Sequence, residues 1–148
     1  MVYRAEKPIV AAVNGAAVAG GAALVTACDL AVAAEPAEIG YPAVGRGMVA
    51  AVVMEFLRRR VGEQRTRYLL LTGGLLTARQ ACRIGLVGEC VAAGDCLSRS
   101  LELARQCSSY PAGAYADTKE LLARTRLADP VTGGPQARRI HTEMRFSE

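Results

Sequence analysis

The stretch that decides the fold is Lys7-Pro8-Ile9-Val10-Ala11-Ala12-Val13-Asn14-Gly15, followed by Ala16-Ala17-Val18-Ala19-Gly20-Gly21 and closing on Cys28-Asp29. Ile9 to Val13 is an unbroken apolar run, as expected of a strand covered on both faces. Asn14-Gly15 ends it with a turn signal. The paired glycines Gly20 and Gly21 then open a small Ala-rich helix that runs through Ala27. A turn of this kind points backbone N–H groups from a helix start into a cleft. That arrangement suits an oxygen that gains negative charge during a reaction.

Working outward, the next strand is expected at Leu30 to Ala33. A short extended piece follows at Glu38 to Tyr41, stopped by Pro42. Val49, Val52, Val53, Phe56 and Leu57 recur at helical spacing and predict an amphipathic helix from about Val49 to Arg60. Its last turn holds Arg58-Arg59-Arg60, where positive charge suits the helix dipole. Gly62 separates it from a helix over Glu63 to Thr72, which Gly73-Gly74 terminate. Thr77-x-x-Gln80 reads as a capping box, with Gly85 as the stop. Leu86 to Val91 predicts a fourth strand, and Asp95 can cap a helix to about Cys107. Pro111 sits at a first-turn position before a helix to about Leu127. Asp129-Pro130 and Gly133-Gly134-Pro135 make a break before an amphipathic segment, Gln136 to Phe146.

This order predicts an α/β domain: an α/β core over 1–92 and a helical part of the same domain over 93–148. A sheet of about four strands leaves unpaired edges. The expectation is therefore a piece of a larger fold.

Composition narrows the function classes. The chain has 148 residues, half of them apolar (51%) and 22% charged, which is globular composition with room for a core. Aromatics make up only 5%, with no Trp, so Ala, Val, Leu and Ile must build that core. The net charge is +4, and Lys7 and Lys119 are the only lysines, so arginine carries the charge. The arginines are scattered apart from the 58–60 run, without the dense stripe and stacking aromatics of a nucleic-acid surface. The uncharged run from 8 to 28 is long enough to span a bilayer. Its Ala, Gly and Val content, the turn at Asn14-Gly15 and the lack of aromatic anchors argue against a membrane span. Five cysteines, none spaced Cys-x-x-Cys, give neither a disulfide framework nor a zinc site and suit a reducing, cytoplasmic setting. His141 has no neighbours with which to ligate a metal, so no metal cofactor is expected.

The order of signals resembles the crotonase superfamily, the enoyl-CoA hydratase/isomerase family. The pieces that carry the likeness are Lys7-Pro8 through Val13-Asn14-Gly15, Ala19-Gly20-Gly21, Cys28-Asp29-Leu30 and Gly40-Tyr41-Pro42. Leu57-Arg58-Arg59, Val61-Gly62-Glu63, Leu71-Thr72-Gly73, Thr77-Ala78-Arg79-Gln80-Ala81 and Ile84-Gly85-Leu86-Val87 continue it. Each is weak alone; their order and spacing are specific. The resemblance implies a partial crotonase-like ββα-spiral fold, covering the family's middle and C-terminal portion, with a helical C-terminal part used for trimer-type oligomerisation. By the same resemblance, strand and helix units that precede the Lys-Pro strand in the family, and supply one oxyanion donor and much of the coenzyme A pocket, are expected to have no counterpart in this sequence.

The resemblance further implies an acyl-CoA thioester as ligand, coenzyme A being part of the substrate and no separate cofactor being required. Gly20 matches the family's second oxyanion N–H donor. Gly21, Ala23, Pro42 and Ala43 line the same substrate site by their matching positions. Hydratases of the family use two glutamates around one water. The first stands three residues after the oxyanion glycine, where this chain has Ala23. The second directly follows the proline of the Gly40-Tyr41-Pro42 segment, where it has Ala43. Alanine moves no proton, so little or no hydratase activity is expected.

Glu35, Glu38, Tyr41, Arg46 and Glu55 are the nearby groups that could stand in. Glu35 and Glu38 read as solvated loop charges, and Glu55 as a surface partner of Arg58 or Arg59. Asp29 reads as a buried turn or cap and Cys28 as small core filler. Three function classes stay open. They are a family member that binds acyl-CoA without hydration, a non-catalytic oligomerising subunit, and one half of a split enzyme completed by a second chain.

Overall fold

The computed structural model describes residue 2 and residues 5–124. The chain divides into two compact units, the first ending at Cys107 and the second beginning at Ser108. Expectations for the segment Gln136 to Phe146, for His141 and for the last residues before Leu127 lie outside the described residues.

The uncharged run that could have spanned a bilayer is instead three short elements. They are β1 (Val10–Val13), β2 (Ala17–Val18) and helix α1 (Gly20–Ala27). Among the described residues no helix is long and apolar enough to cross a membrane. β3 (Leu30–Ala34) and β4 (Glu38–Gly40) follow, then a single 3₁₀ turn at Val44–Arg46. Next come α2 (Ala51–Val61), α3 (Glu63–Thr72), β5 (Leu75–Thr77) and α4 (Ala78–Arg83). β6 (Glu89–Val91) and α5 (Cys96–Ser108), whose last residue opens the second unit, follow, and α6 (Ala112–Arg124) belongs to the second.

Among the described residues two small sheets form. One is all parallel, in the order β1-β3-β6, with Val13 opposite Ala33 and Cys90 opposite Ala33 on the other side. The other has the order β2-β4-β5, with β2 parallel and β5 antiparallel to β4. The four expected strands are all present, though the fourth is confined to Glu89–Val91. Leu86 and Val87 are buried, but their N–H groups turn back to the Ala81 carbonyl and do not enter the ladder. β2 and β5 were not foreseen. Two and three residues long, they carry too little pattern to be read as strands, and pairing with β4 defines them.

The core is aliphatic, as composition requires. Val13, Val25, Ala33, Ile39, Leu57, Leu69 and Leu86 belong to one cluster of buried side chains. Close approach of small residues is visible at Gly40. A Cβ there would sit 2.5 Å from a Leu75 methyl and 2.7 Å from the Gly74 carbonyl, so glycine lets β5 close on β4.

α2 starts later than expected and turns a different face inward. Val53, Leu57 and Val61 form the buried stripe at four-residue spacing. Val49 precedes the helix and is 78% exposed, and Val52 is 82% exposed. The capping box at α4 is present in full: the Thr77 hydroxyl accepts from the Gln80 N–H, and Gln80 reaches back to the Thr77 N–H.

Candidate active site at the start of helix α1

β2 and β4 position the start of α1. Val18 lies opposite Gly40, and the Ala19 N–H donates to the Gly40 carbonyl at 3.0 Å. One hydrogen bond therefore ties the Ala19-Gly20-Gly21 turn to the Gly40-Tyr41-Pro42-Ala43 segment. The two stretches named from sequence converge here. Ala23 lies in the first turns of α1, its N–H on the Ala19 carbonyl at 2.9 Å. Ala43 opens the 3₁₀ turn, and its carbonyl takes the Arg46 and Met48 N–H groups, both at 3.0 Å.

The helix start is undefended. Ala19 provides no side-chain cap, and no acidic residue occupies the first turn. The first N–H groups of a helix have no carbonyl to reach within it. Among the described residues those of Gly20, Gly21 and Ala22 find no other partner. They also lie at the positive end of the helix dipole. Gly20 is exposed. A Cβ at Gly20 would meet no atom within 4 Å, and its φ is outside the left-handed region. Neither packing nor backbone conformation explains that glycine. At Gly21 a Cβ would meet only the Ala17 Cβ, at an ordinary 3.9 Å.

The unusual backbone is one residue earlier. Ala19 has φ 51° and ψ −109°, the only positive φ of a non-glycine among the described residues. Alanine resists this conformation. The bonds of Ala19 to Gly40 and Ala23 hold it there.

The stand-in groups are placed as follows. Glu55 pairs with Arg58 at 2.8 Å and with Arg59 at 3.6 Å, as its surface reading expected. Glu35 pairs with Arg79 across from α4. Glu38 and Arg46 are exposed. Tyr41 points into the core, 1% exposed, with its hydroxyl 2.5 Å from that of Thr26. Burial raises its pKa above the usual phenol value, with the Thr26 hydrogen bond and Arg60 opposing that rise. A sealed, neutral phenol is no proton carrier for this site.

Asp29 is a cap, as expected, but an exposed one: its Oδ2 accepts from the Ile9 N–H at 2.8 Å. A strand entry at the surface needs its donor satisfied there, which accounts for the carboxylate. Cys28 is only half-buried.

The residue that sequence reasoning missed is Arg60. Its guanidinium crosses from α2 to the far end of α1. Nη1 donates to the carbonyls of Val25, Thr26 and Cys28 at 3.1, 2.9 and 2.7 Å, and Nη2 to that of Asp29 at 3.0 Å. Burial lowers its pKa from the ordinary guanidinium range, and Cys28, Tyr41 and Asp29 oppose that shift. The run Arg58-Arg59-Arg60 gave no clue to which arginine leaves the surface. Only position on the Val53-Leu57-Val61 side of α2 distinguishes the third.

Residues 1–145 match the family described as enoyl-CoA hydratase/isomerase. A Thermus thermophilus protein provisionally named an enoyl-CoA hydratase is 48% identical over 82% of this chain and 48% of its own length. The 2,3-dehydroadipyl-CoA hydratase of Escherichia coli is 32% identical over 97% of this chain and 56% of its own. The crystal structure of an enoyl-CoA hydratase from Bacillus anthracis superposes with a TM-score of 0.93 at 27% identity, covering 99% of this chain and 57% of that one. The chain thus spans about half the length of the relatives it matches. The likeness reaches across both sheets and their helices, and the chain belongs to the enoyl-CoA hydratase/isomerase family, with the mixed α/β crotonase fold.

Proposed function

We infer that the start of α1 holds the carbonyl oxygen of an acyl-CoA thioester, with the Gly20 N–H as donor, and that this chain by itself does not hydrate its ligand. The observation that carries the reading is the glycine at position 20. Nothing in the fold requires it, the space beside it is open, and the adjacent N–H groups have no partner among the described residues. Omitting a side chain lets a ligand approach the backbone closely. An N–H donor aimed at an oxygen that becomes negative is worth about 3 kcal/mol in the barrier of an enolate-forming step.

The same site lacks a proton carrier. Ala23 and Ala43 replace both family carboxylates, Tyr41 faces the core, and Glu35 and Glu55 are held by arginines. Binding without hydration follows. Titration calorimetry should show saturable binding of butyryl-CoA, and crotonyl-CoA should be left unhydrated by the same preparation. Turnover abolished by Glu55→Gln would overturn the inference that the acid is lost. Adding Ala23→Glu with Ala43→Glu should not confer activity on this chain alone, because the family's other oxyanion donor comes from a segment that this chain does not match.

A second reading has its own support. Val49, Val52 and Leu24 are 78%, 82% and 60% exposed, which is costly for apolar side chains. Assembly would cover them, either as a homo-oligomer of the trimer type or with a chain supplying the family's N-terminal half. Sedimentation of the purified chain separates the two. A defined oligomer with no acyl-CoA turnover supports the non-catalytic subunit. A monomer that gains turnover only when the other half is added supports the split enzyme.

A further inference from the structure

A concave site lies between α3, β5 and α4, away from the α1 turn. Its volume is about 360 Å³, at the lower end of the range for small-molecule clefts. Leu76 and the half-buried Ile84 supply an apolar floor, and the exposed ring of Tyr68 forms part of the wall. Its rim carries Arg65, Arg83 and Gln80.

The cleft carries positive charge with no carboxylate against it. Arg58, Arg59, Arg67, Arg79 and Arg99 each face a carboxylate within 4 Å. Arg65 and Arg83 face none among the described residues. Arg65 gives one N–H to the Ile84 carbonyl at 3.3 Å, which aligns it along the cleft wall and leaves its other donors available. The Arg83 guanidinium has no hydrogen-bond partner among the described residues. Gln80 commits its side-chain oxygen to the Thr77 N–H at 2.9 Å, so its remaining capacity is its NH₂ group. No carboxylate lines the cleft. Two guanidinium groups and an amide NH₂ above an apolar floor form a set of donors with a hydrophobic base.

We propose that this cleft binds a small organic anion, a phosphate or carboxylate on an apolar body, with Arg65 and Arg83 on the anionic group and the body on Leu76, Ile84 and Tyr68. Guanidinium groups suit both anions because their planar forks match two oxygens at once. The proposal is independent of the thioester reading, since no residue of the α1 turn takes part.

The test is a titration of the ¹⁵N-labelled full chain with phenyl phosphate, benzoate, inorganic phosphate and benzyl alcohol, followed by amide shifts. Phenyl phosphate or benzoate should shift the amides around residues 64–69 and 80–84, and the two probes decide between phosphate and carboxylate. Inorganic phosphate and neutral benzyl alcohol should each bind at least 10-fold more weakly. Raising the salt from 50 to 500 mM should weaken binding several-fold, because the rim is exposed. Arg83→Gln should cost at least 10-fold in affinity, while Arg83→Lys keeps the charge and should lose less. Absence of localised shifts at 5 mM of either aromatic anion would overturn the proposal. So would equal binding of inorganic phosphate, or affinity unchanged in Arg83→Gln.

Discussion

The two ends of helix α1 are built on opposite plans. At the C-terminal end, Arg60 answers the carbonyls of Val25, Thr26, Cys28 and Asp29. Beside it the Thr26 hydroxyl bonds both the Ala22 carbonyl, at 2.6 Å, and Tyr41. At the N-terminal end there is no side-chain cap, no acidic residue and no partner for the first N–H groups among the described residues. A helix eight residues long is marginal by itself, so tertiary contacts must hold it. Here they are concentrated at the C-terminal end. The difference teaches how a fold keeps backbone donors open: it anchors the helix from behind.

The sharpest way to break this contrast is to remove the anchor. Arg60→Met takes the guanidinium donor from four carbonyls in a half-buried site, of which that of Val25 keeps the Cys28 N–H at 3.3 Å, and should destabilise the chain by about 3 kcal/mol. Arg60→Lys keeps the charge but cannot spread donors over four acceptors, and should lose about half as much. Urea denaturation of the three proteins measures both. A loss under 1 kcal/mol for Arg60→Met would mean that the C-terminal end is not what holds α1.

How much of this contrast was legible in the sequence depends on the range of the interactions. The strand Val10–Val13, the helix opening at Gly20 and the capping box at Thr77 rest on neighbours within a few residues, and local pattern sufficed for them. The open end of α1 was legible for the same reason, because paired glycines before an Ala-rich run are a local signal. The anchored end was not. Arg60 acts on carbonyls more than 30 residues earlier in the chain, and nothing near it marks that partner. Tyr41 failed as a proton-carrier candidate for a similar reason: a residue next to β4 can face either way, and the Thr26 hydroxyl behind the sheet decided it. β2 and β5 exist only through pairing with β4, so they carry no pattern of their own.

The next test acts on the open end and has the opposite sign. Ala19 sits at φ 51°, where a Cβ is strained and glycine is not. Ala19→Gly relieves about 2 kcal/mol of strain and adds about 1 kcal/mol of unfolded-state entropy cost. A net gain of about 1 kcal/mol is expected, read again from urea midpoints. That gain would mark Ala19 as a place where the open end stores strain that the anchored end does not.

Tyr41→Phe probes the anchored end more gently. It removes one partner of Thr26, whose hydroxyl keeps the Ala22 carbonyl, and should cost about 1 kcal/mol at pH 7. Its pH dependence is more telling. Burial raises the folded-state pKa of Tyr41 above the ordinary phenol value of 10.0, so the folded chain keeps this proton more tightly than the unfolded chain. The associated stability is fully present below pH 10.0 and is lost as the pH rises from there through the folded-state value. The difference in stability between wild type and Tyr41→Phe should therefore shrink above pH 10.0 and stay constant below it. A difference that is flat across that range would place the phenol in contact with water.

Gly20→Ala should have the smallest effect on stability and the clearest effect on function. The new methyl group enters open space, and the backbone there has no positive φ to resist it. Alanine is also the better helix former, so the change in stability should lie within about 0.5 kcal/mol of zero. If the site holds a thioester oxygen, the same methyl stands where the ligand must approach, and butyryl-CoA affinity should fall at least 10-fold. The two measurements together separate the roles a glycine can have. Lost stability with lost binding would make Gly20 a structural residue like Gly40. Lost binding at full stability is what an open helix end, held from behind by Arg60, requires.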